Sequence, residues 1–221
     1  MTRNHKRGFT IVEMLMVIGV LAILMGIVTT ASTAAIRQAR NRRTAAVKGV
    51  IQAGIATYRS QRDAWPPDGG QLEKWANNGV SGNQNGVSSG RHIAFLSADQ
   101  YDDMMYELAK VSVGDSGASP VMDVTGINVA RRSAASTPNG RGMEFREAIK
   151  KNKKHGATYN LRDMSFGYIT SDKGYFRRYI VQYNADSDSV TVMTQEEYSD
   201  WWKSVNPNKG SVQWPTGYTV R

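Results

Sequence analysis

The chain contains no cysteine in its 221 residues. That removes any disulfide framework, any thiol nucleophile and any thiolate-bound zinc. Histidine is scarce too: only His5, His92 and His155 occur, and three scattered imidazoles do not make a zinc ligand set. The third absence is of charge. From Met14 to Ile36 no charged residue occurs, a run of roughly 23 positions, or about 35 Å as a helix at 1.5 Å per residue. That is enough to cross a bilayer core of about 30 Å. A secretory signal peptide has an apolar region of about 7–15 residues before a small-residue cleavage site. Here the run is longer, and Ala31 to Ala35 merge into a continuing helical pattern.

Immediately before this run stands Lys6-Arg7-Gly8-Phe9-Thr10-Ile11-Val12-Glu13. A basic leader, a Gly-Phe junction and one carboxylate just inside an apolar helix resemble the processing site of type IV prepilins and type II secretion pseudopilins. The resemblance covers roughly the first 60 residues. It implies cleavage between Gly8 and Phe9 and N-methylation of the new Phe9 terminus. It also implies an assembly role for Glu13. The cutting and methylating enzyme would be a separate membrane peptidase, so no catalytic residue is expected in this chain. An ionisable group in a membrane span is costly and reads by default as functional. The plainer account places Glu13 in the first helical turn, favoured by the helix dipole. The account that gives it a task pairs it with the Phe9 amine of a neighbouring subunit, which would set the stagger between helices.

The leader, residues 1–8, carries Arg3, Lys6 and Arg7. Arg37, Arg40, Arg42 and Arg43 follow the span, so charge counting leaves the orientation open. These arginines read as a solvated collar meeting lipid phosphates, as contacts to acidic groups of neighbouring subunits, or, as the minor reading, as a DNA contact, which packing into a filament would hide. Beyond the transmembrane and assembly half (9–36), Ile36, Ala39, Arg43, Val47, Val50, Ile51, Gly54, Ile55 and Tyr58 recur every three or four residues. The same helix should therefore continue as an amphipathic half over 37–63, until Trp65-Pro66-Pro67 forbids it.

Residues 64–221 read as a globular domain. Asp68 to Gly90 is Gly-, Asn- and Ser-rich, with Leu72 and Trp75 as its main apolar points; no strand leads into its glycines, so it is no phosphate loop. The spacing of Leu96, Tyr101, Met104, Met105, Leu108 and Val111 predicts a helix over Ile93–Val111, capped by Ser97 or Asp99. Weak strand signals lie at Val121–Val124 and Ile127–Ala130, and stronger ones at Ser165–Thr170, Tyr179–Asn184 and Val190–Thr194. A short helix is expected over Glu196–Val205, with Tyr198, Trp201 and Trp202 packed on the sheet.

Other motifs reduce to structure. Gly114-Asp115-Ser116-Gly117 superficially matches a chymotrypsin-like nucleophile segment, but that chemistry needs a base and an orienting carboxylate in fixed geometry. Asp186 and Asp188, in the turn between two strands, are weak calcium candidates, as some major pseudopilins bind calcium in a C-terminal loop. Two carboxylates fall short of the six to eight oxygens calcium takes, and a plain turn is expected. Lys150, Lys151, Lys153 and Lys154 form a basic run without interleaved aromatics, which argues against a nucleic-acid platform. The net charge is +9, a third of it in the leader.

The expected architecture is α+β, a long N-terminal helix on a small antiparallel sheet of three or four strands. The expected function is structural and needs no cofactor: a precursor of a type II secretion pseudopilus subunit in the inner membrane, its C-terminal domain periplasmic or extracellular. Its partners would be the prepilin peptidase/methyltransferase, other pseudopilins, the assembly platform and lipid. A type IV or competence pilus subunit, or an anchored binding domain that never polymerises, are the alternatives. The absence of a disulfide leans toward the pseudopilin.

Overall fold

The computed structural model describes residues 10–66, 93–109, 121–148 and 161–218. Its first element, α1, runs unbroken from Ile11 to Arg62, about 78 Å at 1.5 Å per residue. The residue types explain the length, since Leu, Met, Ala, Ile and Val fill it and the first proline is Pro66. Two mid-helix hydroxyls that would burden an apolar surrounding bond back to their own helix. Thr29 Oγ1 donates to the Met25 carbonyl at 2.8 Å and Ser32 Oγ to that of Val28 at 2.8 Å. The helix ends at Asp63, which turns left-handed (φ 49°) while its amide donates to the Arg59 carbonyl.

Among the described residues seven short strands follow: β1 (Ile93–Phe95), β2 (Asn128–Arg131), β3 (Met143–Glu144), β4 (Met164–Ile169), β5 (Phe176–Arg177), β6 (Ile180–Asn184) and β7 (Ser189–Met193). They form two antiparallel sheets, in the orders β1-β6-β7 and β3-β2-β4-β5. Helices α2 (Ala98–Ala109), α3 (Arg132–Ala135, a single turn) and α4 (Gln195–Val205) accompany them among the described residues, with helical residues at 145–148 and a 3-10 turn at Leu161–Asp163. The fold is thus α+β with a long N-terminal helix, as expected, but with two small sheets where one was anticipated.

The second half of α1 lies across both sheets, touching β7 and β4. It buries Val47, Ile51, Ile55 and Tyr58 in a core shared with Tyr101, Met105, Phe166, Tyr179 and Val181. Ile51 and Ile55 are essentially inaccessible to solvent, each worth about 1.5–3 kcal/mol of transfer free energy. At Gly54 the Met122 side chain packs so closely that a Cβ would sit 3.1 Å from it. Ile36 and Ala39 are exposed, so the domain-facing stripe begins higher on the helix than the apolar spacing suggested, and Val50 is exposed too.

Two elements differ from expectation. The helix predicted over Ile93–Val111 begins only at Ala98, because Ile93 to Phe95 pair with Asn184 to Gln182 and are buried as β1. Ser97 makes the break. Its Oγ accepts from the Gln100 amide while Gln100 Oε1 accepts from the Ser97 amide. Val121–Val124 forms no strand; Met122 and Val124 are instead buried in an irregular segment. The remaining strand expectations fall within a residue or two of β2, β4, β6 and β7.

A buried ion pair joins α2 to the second sheet. Asp102, with no exposed surface, accepts from Arg178 Nη2 at 2.9 Å, Arg178 Nε at 3.2 Å and Ser165 Oγ at 2.6 Å. Trp202 and Tyr198 of α4 pack on the first sheet against Phe95, Ile180 and Met193, with Trp201 half-buried beside them. Their expected packing role is met.

Candidate functional site

Two halves of one helix meet different surroundings. Between Ile11 and Val28, each large apolar side chain keeps 51–81% of its surface exposed. Nothing else in the described protein covers this cylinder. An apolar surface of this size on a soluble monomer marks a membrane or protein interface. By length and composition the segment suffices to cross a membrane.

At its lower end Glu13 is not idle. Thr10 is the N-cap: its amide donates to Glu13 Oε2 at 2.8 Å, its hydroxyl donates to the same oxygen at 2.9 Å, and the Glu13 amide donates to Thr10 Oγ1 at 3.3 Å. This reciprocal capping box satisfies two of the helix's orphan donors. Sequence reasoning passed over it, although Thr10-x-x-Glu13 ahead of an apolar run is its usual signature. Glu13 therefore has a local task within one chain, and both bonds land on one carboxylate oxygen. Gly8 and Phe9 lie outside the described residues, as do His5, His92, His155, the Gly114–Gly117 segment, Leu72, Trp75 and the Lys150–Lys154 run.

The basic collar is divided by the fold. Arg40 Nη1 reaches the carbonyls of Thr170 (3.4 Å) and Ser171 (3.3 Å), and Arg43 pairs with Glu144 at 2.6 Å and donates to the Gly126 carbonyl. These two fasten the helix to loops of the domain and are not free to meet lipid. Arg37 and Arg42 remain exposed on the outer face.

The turn between β6 and β7 holds the two calcium candidates. Asp188 Oδ1 accepts from Trp65 Nε1 (3.0 Å) and from Tyr183 Oη (3.0 Å), and its Oδ2 from Arg59 (3.4 Å). The Trp65 indole N–H, helped by Tyr183 and Arg59, holds this carboxyl below its ordinary range. Asp188 thereby ties the hairpin to the end of α1. Among the described residues no group of three or more His, Cys, Asp or Glu side chains is placed to hold a metal ion.

A groove of about 370 Å³ opens between α1 at Asn41–Lys48 and the loop and helix that carry Asp172, Glu196 and Glu197. Burial pushes the Glu197 carboxyl up, but its 2.6 Å bond to Lys48 Nζ and the Thr194 amide outweigh that and hold it low. It lies well up the helix from Glu13 and is separate from the apolar half.

Residues 3–29 match the family described as the prokaryotic N-terminal methylation motif. No curated protein and no solved structure matches the chain. The matched residues span the basic leader, the Gly8-Phe9 junction, Glu13 and the exposed apolar run, and the family's members are structural proteins processed by a prepilin peptidase. The chain carries the prepilin-type N-terminal methylation motif, which supports a type IV pilin-like protein.

Proposed function

We propose that this protein is the precursor of a structural filament subunit, most like a type II secretion pseudopilin. It is cut between Gly8 and Phe9, methylated on Phe9 and polymerised through the exposed half of α1. The observation that carries this reading is the continuity of α1: one rigid rod whose lower half is entirely uncovered and whose upper half is welded to a folded domain. A rod of this kind can leave the bilayer for a filament core and keep its apolar surface out of water in both places. Before assembly the lower half sits in the inner membrane with residues 37–221 on the outer side.

In the filament, the Phe9 amine of one subunit meets Glu13 of the next. Capping engages Oε2, and the carboxylate's second oxygen and full charge serve the amine. A carboxylate can accept about four hydrogen bonds in all, so cap and pair are compatible. The absence of cysteine from the whole chain favours the pseudopilin over a disulfide-stapled pilus subunit.

The processing step has a direct test. Gly8→Val should block cleavage, so intact mass should show the unprocessed, unmethylated precursor in the membrane fraction. A mature chain beginning at methyl-Phe9 in that variant would overturn the assignment of the junction.

A further inference from the structure

We propose that the pocket between the β4–β5 hairpin and the first turns of α4 binds a carboxylated saccharide, its acid group held by Arg177 and Lys173. This goes beyond the filament reading and does not depend on it. The starting point is a pair of consecutive arginines, both buried: Arg177 keeps 8% of its surface and Arg178 3%. Their surroundings differ. Arg178 meets the Asp102 carboxylate at 2.9 Å. Arg177 donates from Nη1 to the Phe176 carbonyl at 2.9 Å and lies 5.6 Å from the centre of the Tyr175 ring. It forms no ion pair among the described residues. A buried charge is costly unless it is paired. That single bond leaves most of the guanidinium's donors unused, and the side chain lines the pocket.

The pocket holds about 320 Å³, within the range of roughly 300–1,000 Å³ of small-molecule sites. Its two sides are held in place. On one, the loop from Thr170 to Tyr175 closes on itself. The Thr170 amide donates to the Tyr175 carbonyl at 2.8 Å, and the Tyr175 amide to Thr170 Oγ1 at 3.0 Å. Gly174 supplies the left-handed φ of 69° in that turn. On the other, Trp214 lies 5.2 Å from the Tyr198 ring, and Tyr198 Oη donates to the neighbouring Gln213 carbonyl at 2.7 Å. Gln195 lines the pocket while only 5% exposed, and its Oε1 has no hydrogen-bond partner among the described residues. Lys173 and Arg177 line the same pocket, yet neither donates to that oxygen. An unused acceptor and an unpaired buried cation thus share one pocket without meeting.

These groups specify the ligand. A carboxylate matches the Arg177 guanidinium by bidentate geometry, and the exposed Lys173 adds a second positive charge. A bare anion does not suit the pocket, because Asp172, Glu196 and Asp200 line it as well and like charges repel. Two of these carboxylates are already engaged. Tyr168 Oη donates to Glu196 Oε2 at 2.7 Å, and the Lys173 amide donates to Asp172. What fits is a molecule whose acid group is joined to neutral donors. Sugar hydroxyls donate to Gln195 Oε1 and to the remaining lone pairs of the carboxylates without bringing a second charge. The rings of Tyr175 and Trp214 offer apolar wall to the C–H face of a pyranose. An ionised acidic side chain of a peptide matches Arg177 equally but is acceptor-only, and leaves Gln195 Oε1 unserved.

The test is titration of the full-length chain in detergent micelles with methyl β-glucuronide and methyl β-glucoside, followed by saturation-transfer NMR. The two sugars differ only in the acid group. The glucuronide should bind saturably, and the glucoside about tenfold more weakly or worse. Arg177→Met keeps the bulk of the side chain and should weaken the glucuronide about tenfold while the thermal midpoint holds. Lys173 is exposed, so Lys173→Glu makes the same test without disturbing the core, and should weaken binding about fivefold. The tripeptide glycyl-glutamyl-glycine should bind more weakly than the glucuronide. The site is overturned by an absence of saturable glucuronide binding, by equal binding of the glucoside, or by glucuronide binding that Lys173→Glu or a folded Arg177→Met leaves unchanged. Tighter binding of the tripeptide would make this a peptide site and the saccharide proposal wrong. None of these outcomes bears on filament assembly.

Discussion

Below about residue 36, α1 shows solvent a mostly apolar surface, with Glu13 at its lower end and hydroxyls bonded back to the helix, and is held by its own backbone bonds. From Arg40 onward, the same helix has one buried stripe and is held by a core, two arginine clasps and an ion pair from Lys48 to Glu197. The sequence of residue types is not very different in helix propensity across the two halves. What differs is the face distribution of polarity, and with it the solvent each half is built for. A helix apolar all round needs lipid or other helices, whereas one with a single stripe needs a sheet. Joining both in one rod lets a folded domain be carried by a segment that contributes nothing to folding it.

That contrast makes ordered predictions. The domain half should be fragile to loss of its buried charge. Asp102→Ala leaves Arg178 buried without its carboxylate and should cost about 3–5 kcal/mol, read as the domain's thermal or denaturant midpoint in detergent. Next, Ile51→Ala should cost about 2–5 kcal/mol by the same measurement, while Leu21→Ala should stay within about 0.5 kcal/mol. A comparable loss from Leu21→Ala would erase the division between the halves.

A third prediction concerns acid. The Asp188 carboxyl is held below its ordinary value chiefly by the Trp65 indole. A carboxylate whose folded pKa is depressed adds stability above its unfolded pKa of about 3.9 and loses it as pH falls through the folded value. Asp188→Asn should therefore be less stable than the parent at pH 7, and the difference should shrink below about pH 4. An unchanged gap at low pH would show that the charge is not what ties the hairpin to α1. The smallest effect compares two glycines. Gly49→Ala adds a methyl into open space and should stabilise the helix by up to about 1 kcal/mol. Gly54→Ala should return less, since Met122 must give way at 3.1 Å.

Much of this was legible in the residues, for identifiable reasons. The absence of charge from Met14 to Ile36 and the spacing of Val47, Ile51, Ile55 and Tyr58 need no partner to be read, and both halves of α1 follow from them. The hairpin of β6 and β7 was equally local. The two-sheet arrangement was not, because β1, β3 and β5 are only two or three residues long and β1 exists through a partner distant in sequence. Ile93 is a strand residue because Asn184 is beside it. The division of the arginine collar was hidden for the same reason, since Arg40 turns inward only where the Thr170–Ser171 loop meets it. The capping boxes at Thr10-Glu13 and Thr194-Glu197 were legible and were passed over. At Glu13 that omission matters, because it supplies a second account of why a carboxylate is there.

Those two accounts are separated by Glu13→Gln. Glutamine at the third helical position can still accept from the Thr10 amide, so the cap survives, but the charge that would meet a neighbour's amine is gone. The measurement is sheared-filament yield from membranes in which insertion and cleavage after Gly8 are shown to be normal. Assembly through a Phe9–Glu13 pair predicts that filaments are lost in Glu13→Gln, as in Glu13→Leu. Normal filaments from Glu13→Gln would contradict it and leave Glu13 as a helix cap.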